Sequence, residues 1–223
     1  MINIAIDGPA GAGKSTIARM LAADLGYLYV DTGALYRAIG VNAMRRGADT
    51  KNAEQVAETL PSADVSMRFV DGEQRVFLGE EDVSLAIRTP EASMAASNVS
   101  AIPAVRDFLL DLQRSIAAQN NCIMDGRDIG TVILPDAQIK IFLTAAVEVR
   151  AKRRYDELLG KGMQAEYADV LAEMIQRDEQ DMNRPIAPLK QAEDAVLVDT
   201  SELDLEQSID AIKRIVEEKN HEF

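Results

Sequence analysis

The 223-residue sequence predicts an α/β fold, a P-loop NTPase-type parallel sheet flanked by helices. Three observations carry that expectation. A short apolar run, Ile2–Ile6, leads directly into Gly8-Pro9-Ala10-Gly11-Ala12-Gly13-Lys14-Ser15-Thr16, the pattern G-x-x-x-x-G-K-S. Strand-like and helix-like segments then alternate along most of the chain, as strands joined by helical crossovers do. The alternation is interrupted once, near the middle, by an antiparallel hairpin pattern that does not belong in a parallel sheet.

The first element explains itself chemically. Ile2–Ile6 is a buried strand ending at Asp7. The glycines after it let the backbone turn tightly and bring bare N–H groups to phosphate oxygens. The helix read from Ser15 to Leu25 points its positive dipole end at the same place, with Ile17, Met20, Leu21 and Leu25 on its apolar face and Gly26 as its C-cap. Lys14 is placed to reach the outer phosphates, and the Ser15 hydroxyl to meet Mg²⁺.

The following elements are read in the same way. Tyr27–Val30 is a second short strand ending at Asp31, Gly33–Arg46 a helix closed by Gly47, and Asn52–Leu60 a weaker helix. Val65–Val70 alternates, Asp71-Gly72-Glu73-Gln74 forms a turn and Arg75–Leu78 returns, so about residues 62–100 read as an insertion. Pro90–Asn98 and Pro103–Ala118 are helices with Pro near their starts. The core resumes with Cys122–Asp125 and Lys140–Leu143. Helices Glu148–Leu159 and Glu166–Met182 follow, the second stopped by Pro185. Ala195–Val198 is the last strand, and Leu205, Ile209, Ile212 and Val216 stripe a final helix.

Composition narrows the possibilities. No apolar run approaches a membrane span, and the N-terminus lacks a basic region and cleavage site, which points to the cytoplasm. The single Cys122 rules out an internal disulfide and a cysteine-based zinc site. A net charge of −13 argues against nucleic acid as a partner. The only histidine, His221, is read as a solvated tail residue, so a mechanism that needs a histidine base is excluded. The chain carries 16 Arg to 8 Lys, which matters only through where the arginines sit.

Several sit at strand ends. Asp125 closes an apolar strand, where P-loop proteins hold Mg²⁺ with an acidic residue, and Arg127 and Asp128 follow at once. Asp31, Thr32 and Arg37 lie past another strand end, on the sheet edge where α/β proteins bind ligands. Two Arg-bearing turns suggest a second anionic group besides the nucleotide of the P-loop. Arg150, Arg153 and Arg154 share a helix face by i, i+3, i+4 spacing; Arg177, Asp181 and Arg184 share another by i, i+4, i+7. Such runs can be solvated surfaces laced with ion pairs. Joined by the tip Gly160-Lys161-Gly162, they are also what a lid closing over phosphates needs.

The sequence resembles the bacterial cytidylate kinases, of the nucleoside monophosphate kinase group, over essentially its whole length. Besides Ile6–Thr16, the markers are Asp31-Thr32-Gly33-Ala34-Leu35-Tyr36-Arg37, Ile87-Arg88-Thr89-Pro90-Glu91, Asp125-Gly126-Arg127-Asp128-Ile129-Gly130-Thr131-Val132 and Asn183-Arg184-Pro185-Ile186-Ala187-Pro188-Leu189. The resemblance implies transfer of the ATP γ-phosphoryl to CMP or dCMP with Mg²⁺. It implies Gly8–Thr16 and Arg150 on ATP, with Ser15 and Asp125 at the metal. It places Arg37 and Arg127 on the CMP phosphate, and Thr32, Arg106 and Arg184 on cytosine with Asp128 in support. Ser97, Arg177 and Asp181 fall at the sugar. Lys14, Arg127, Arg153 and Arg154 stand near the transferring phosphoryl. Thr32 stands where some members have Ser, which keeps the hydroxyl.

The expected layout is a P-loop core of residues 1–61, 101–149 and 187–223, a β-containing monophosphate-binding insertion at 62–100 and a short helical lid at 150–186, in a monomer. Two other readings stay open from the residues. One is a P-loop kinase for another nucleoside monophosphate or a small metabolite. The other is a nucleotide-dependent switch, disfavoured because no N-K-x-D guanine reader occurs and Gly126, not Glu, follows Asp125.

Overall fold

The computed structural model describes residues 1–70 and 73–220; the turn expected at Asp71-Gly72 and the tail residue His221 lie outside the described residues. In chain order the elements are β1 (Asn3–Asp7), α1 (Lys14–Leu25), β2 (Leu28–Asp31), α2 (Thr32–Arg45), α3 (Ala53–Thr59), β3 (Val65–Val70), β4 (Glu73–Leu78), β5 (Glu81–Asp82), α4 (Pro90–Val99), α5 (Pro103–Gln119), β6 (Cys122–Gly126), β7 (Ile139–Thr144), α6 (Val147–Gly160), α7 (Tyr167–Asn183), β8 (Val196–Asp199) and α8 (Leu205–Asn220). The chain divides into two units: Ile2–Tyr27 with Cys122–Phe223, and Leu28–Asn121 together with Met1.

The unit formed by the two ends of the chain holds the parallel strands in the order β6-β1-β7-β8. In register, Ile4 lies opposite Ile123 on one side and Ile139 on the other, and Ile141 lies opposite Val196. Ile4, Ala5, Ile6, Ile123 and Met124 are fully buried, as a strand covered on both faces requires. Helix α1 ends at Gly26 in the left-handed conformation, as its sequence predicts. On α8, Ile209, Ile212 and Val216 are buried, but Leu205 is half exposed, so the expected stripe begins one turn later than read.

The middle unit is built on α2, α4 and α5 with a three-stranded antiparallel sheet, β3-β4-β5. The expected hairpin is present, with two corrections. Glu73 and Gln74 belong to strand β4 rather than to the turn, paired with Val70 and Phe69. The third strand, β5, has only two residues and no alternation to betray it. Its residues pair with Leu78 and Phe77 of β4, and exposed ion pairs join them, Arg45 meeting Glu81 at 2.8 Å and Arg75 meeting Asp82 at 3.2 Å.

One further element has no counterpart in the sequence reading. After β6 the chain makes a single π-helical turn, Ile129–Ile133, with the N–H of Ile133 bonded to the Asp128 carbonyl at 3.2 Å and that of Leu134 to the Ile129 carbonyl at 2.7 Å. Such wide turns recur at functional sites.

Candidate active site

The P-loop leaves β1 through Gly8, whose φ of +149° and close neighbour fix its identity: a Cβ there would lie 1.9 Å from the Leu143 carbonyl oxygen. Gly11 and Gly13 also take positive φ, turning the backbone N–H groups inward before α1 begins at Lys14. The Lys14 ammonium is buried and donates to the Pro9 carbonyl at 2.7 Å. Burial pulls its pKa down to about 7; the nearby charge of Arg127 adds to the fall, and Asp125 opposes it. A phosphate anion beside Lys14 would restore its charge.

Next to it, the Ser15 hydroxyl donates to Asp125 Oδ2 at 2.8 Å. A hydroxyl and a carboxylate side by side at the phosphate end of a P-loop suit Mg²⁺, an ion that takes few protein oxygens and fills its shell with water and phosphate. No group of three or more metal-ligating side chains occurs among the described residues.

Arg127 and Asp128 stand at the end of β6 and are tied to α7 and the segment after it. Arg127 Nε donates to Asp181 at 2.8 Å, and Arg184 donates to Asp128 at 3.1 Å and to the Ala187 carbonyl at 2.6 Å. Burial works against the charge of Arg127, but Asp181 outweighs it and holds the guanidinium above its ordinary range. Burial also opposes ionisation of Asp181; Arg127 and Arg177 outweigh it and hold the carboxyl below its ordinary range. Arg127, Asp128, Arg177, Asp181 and Arg184 therefore form one cluster of mutually dependent charges in this unit. Arg184 has extended backbone at the end of α7, so it reaches Asp128 by leaving the helix rather than by sharing a face with Arg177.

The three arginines of α6 do not act as a set. Spacings of three and four fan out on either side of the first residue, and here they diverge. Arg150 is buried and makes four hydrogen bonds: to the Ala145 and Ala10 carbonyls at 2.7 and 3.1 Å, and to Asp178 at 3.2 and 2.6 Å. It thus braces the P-loop carbonyl of Ala10 to α7, and Gly11 lies against Arg150 and Met174. Arg153 turns to the Thr200 and Leu203 carbonyls, and Arg154 to Glu157 at the surface.

In the middle unit, Thr32 is buried at the start of α2, and Asp31 caps that helix by accepting from Ala34 while binding Arg37 at 2.6 Å. Arg106 on α5 donates to the Ser100 carbonyl at 3.3 Å and lies 5.7 Å from the centre of the Tyr36 ring. Ser97 is on α4, with its carbonyl accepting from Ser100 at 2.9 Å.

Sequence reasoning missed three residues that shape these sites. Gln74 of the hairpin clips the end of β2, accepting from the Asp31 N–H at 2.7 Å and donating to its carbonyl at 3.2 Å. Asp178 is the partner of Arg150, and its i−3 spacing from Asp181 was a signal. Asp7 is buried at the end of β1 and accepts from the N–H groups of Ile129 and Gly130 at 2.7 and 2.8 Å. Burial raises its pKa to about 6 against those two bonds; the charge of Asp128 also raises it and that of Lys14 lowers it. An acidic residue at the end of an otherwise apolar strand was its only trace in the sequence.

Known proteins bear on these features. The family model for cytidylate kinase matches residues 4–218. The cytidylate kinase of Caldicellulosiruptor bescii is 50% identical over 95% of this chain and 93% of its own length. That of Carboxydothermus hydrogenoformans is 47% identical over 98% and 99%. Among solved structures, an uncharacterized protein from Eubacterium ventriosum matches 97% of this chain and 99% of its own at a TM-score of 0.57 and 14% identity. A shikimate kinase from Bacteroides thetaiotaomicron covers 97% and 98% at 0.50 and 16%. These two speak for the P-loop kinase fold alone. With the family model spanning nearly every residue and relatives near half identity end to end, the chain belongs to the cytidylate kinase family.

Proposed function

We propose that this protein transfers the γ-phosphoryl group of ATP to CMP or dCMP, giving ADP and CDP or dCDP. The observation that carries the reading is the charged cluster in which Arg127 and Arg184 are held by Asp181 and Asp128 beside a P-loop lysine. Such transfer asks for positioning and charge neutralisation more than for covalent chemistry. The acceptor phosphate has a second pKa near 6 and is largely dianionic at pH 7. It needs no general base, in keeping with a site built of arginines and carboxylates.

The roles of the individual residues are part of the proposal. The loop from Gly8 to Thr16 cradles the ATP phosphates with its N–H groups, Lys14 neutralises the outer phosphates, and Arg150 supports the ATP side through the Ala10 carbonyl. Ser15 and Asp125 would hold Mg²⁺, which when bound would supply positive charge to the ATP phosphates. Arg127 binds the CMP phosphate, Arg184 with Asp128 reads the base, and Arg177 and Asp181 meet the sugar. In the middle unit, Arg37 also binds the phosphate, Thr32 and Arg106 read cytosine, and Ser97 meets the sugar. A cytosine edge offers an N4 donor with N3 and O2 acceptors, which Arg donors and a hydroxyl can read. Arg153 and Arg154 exchange Thr200, Leu203 and Glu157 for the transferring phosphoryl when residues 150–186 close as a lid. The protein acts as a cytoplasmic monomer, with residues 62–100 as the monophosphate-binding insertion; no described helix is long and apolar enough to cross a membrane.

Initial rates with CMP, dCMP, UMP and AMP test the acceptor. CMP and dCMP are expected to be the fastest, and quicker turnover of AMP sinks the assignment. Arg184→Met tests the site: the KM for CMP is expected to rise at least about tenfold while that for ATP stays within about twofold, the scale of one lost charged hydrogen bond.

A further inference from the structure

Asp7 takes no direct part in the transfer proposed above, yet it is one of the most deeply buried charges of its unit, at 4% exposure. Its two oxygens accept from Ile129 and Gly130, residues 122 and 123 positions further along the chain. These are the first two N–H groups of the π turn, the donors that a helical start leaves without partners of its own. Asp128, which occupies the capping position, makes no side-chain cap bond there. The cap therefore comes from another strand.

Lys140 of β7 packs against the same turn. A Cβ on Gly130 would meet Lys140 Cδ at 3.1 Å and Asp7 Oδ2 at 3.4 Å. The Lys140 ammonium is fixed in turn by the Pro135 carbonyl at 2.5 Å and by Asp194 at 2.7 Å. Gly130 thus lies against both the Asp7 carboxylate and a lysine stem, with little room for a side chain. Asp128 and Arg127 are the residues immediately before it, so a shift of that peptide moves both side chains together.

We propose that Asp7 is a positioning residue for the acceptor: by capping the turn it sets where Arg127 and Asp128 stand, and so governs CMP binding without touching CMP. The inference rests on the acceptor roles proposed above for Arg127 and Asp128. An Asn at position 7 keeps the shape but offers one acceptor oxygen, and turns an NH₂ group toward the second backbone N–H. Two donors then face each other, and the turn must give way.

Steady-state kinetics of Asp7→Asn and Gly130→Ala test this, with Arg127→Gln as the control. Asp7→Asn is expected to raise the KM for CMP about tenfold or more, the cost of a charged hydrogen bond, with the KM for ATP within about twofold. An unchanged KM for CMP, or both values rising together, overturns the role. If Asp7→Asn does not fold, Gly130→Ala presses a Cβ on the same carboxylate contact and on the Lys140 stem, and the same split decides. Arg127→Gln separates the two levels. A KM for CMP unchanged in that variant sinks the acceptor reading itself. A rise there without one in Asp7→Asn sinks only the role of Asp7.

Discussion

The P-loop and the turn that follows β6 lie in the same unit and both present groups for a phosphate, but they are held in opposite ways. The loop from Gly8 to Thr16 takes its shape from its own backbone: its glycines make the bends, its N–H groups turn inward, and Lys14 is steadied by Pro9 five residues away, while Arg150 braces the Ala10 carbonyl from outside. The turn from Asp125 to Ile133 has its own backbone bonds, but its side chains and its first N–H groups are held from outside. Ser15, Asp181 and Arg184 each grip one of its residues, and Asp7 grips two, all from more than 50 positions away in the chain. A site built by local geometry tolerates change elsewhere. A site built by distant charges depends on each of them, because removing one partner of a buried pair leaves the other charge without its compensation.

The largest expected effect breaks the P-loop side. In Gly8→Ala the new Cβ would lie 1.9 Å from the Leu143 carbonyl oxygen of β7, in a backbone conformation that side chains rarely adopt. Neither strand can retreat, since both are in the middle of the sheet. The loss of stability is expected to reach about 3 kcal/mol or more, from overpacking together with backbone strain, with ATP binding lost alongside. Urea unfolding and ATP titration of the variant check it. A stability within about 1 kcal/mol of the parent would show that the loop bends more freely than its contacts allow.

The second effect sharpens the contrast, because a grip made by a carboxylate titrates and a grip made by backbone N–H groups does not. The Asp7 carboxyl is raised from 3.8 to about 6 by burial, with the charge of Asp128 adding to it and the bonds from Gly130 and Ile129 and the charge of Lys14 opposing it. A group whose pKa is higher folded than unfolded gives stability that is fully present below pH 3.8. That stability is lost as the pH rises through about 6. The unfolding free energy of the parent relative to Asp7→Asn should therefore move in the parent's favour as the pH falls from 7 to 4, by at most about 3 kcal/mol. Urea unfolding at several pH values measures it, and a difference that stays flat across that window would mean that Asp7 does not titrate there.

How much of this was legible in the sequence follows the same division. Local features could be read: the P-loop, the Gly26 C-cap, the alternating hairpin and the apolar strands depend on neighbours within a few residues. Features built by distance could not. The i, i+3, i+4 arginines of α6 read as one face, but their spacing says nothing of Asp178, Thr200 or Glu157, which pull them apart. Strand β5 is two residues long and cannot show a period. Asp7 was visible only as a strand end, since its partners are backbone N–H groups, which have no signature in side-chain sequence. Arg127 and Asp128 could be read from their place at a strand end and Arg184 from its helix spacing, with roles implied by the family resemblance; the pairing of Arg127 with Asp181 and of Arg184 with Asp128 came only with the structure.

The smallest expected effect concerns Arg154, and it decides whether a surface residue belongs with the catalytic set. Its guanidinium meets Glu157 at 2.8 Å with both side chains a third or more exposed, at 35% and 46%. An exposed i, i+3 pair of this kind contributes about 0.3–0.5 kcal/mol, because solvent screens it and two long side chains lose freedom in making it. Arg154→Gln is therefore expected to leave stability within about 0.5 kcal/mol of the parent. If Arg154 leaves Glu157 for the transferring phosphoryl as the lid closes, kcat falls at least about tenfold in the same variant, since the lost interaction is made only in the transition state. Glu157→Gln supplies the complementary measurement: freeing Arg154 from its resting partner should leave kcat equal to or above that of the parent. A kcat unchanged in Arg154→Gln would make the pair a surface ornament of α6 and leave charge neutralisation to Lys14, Arg127 and Arg153.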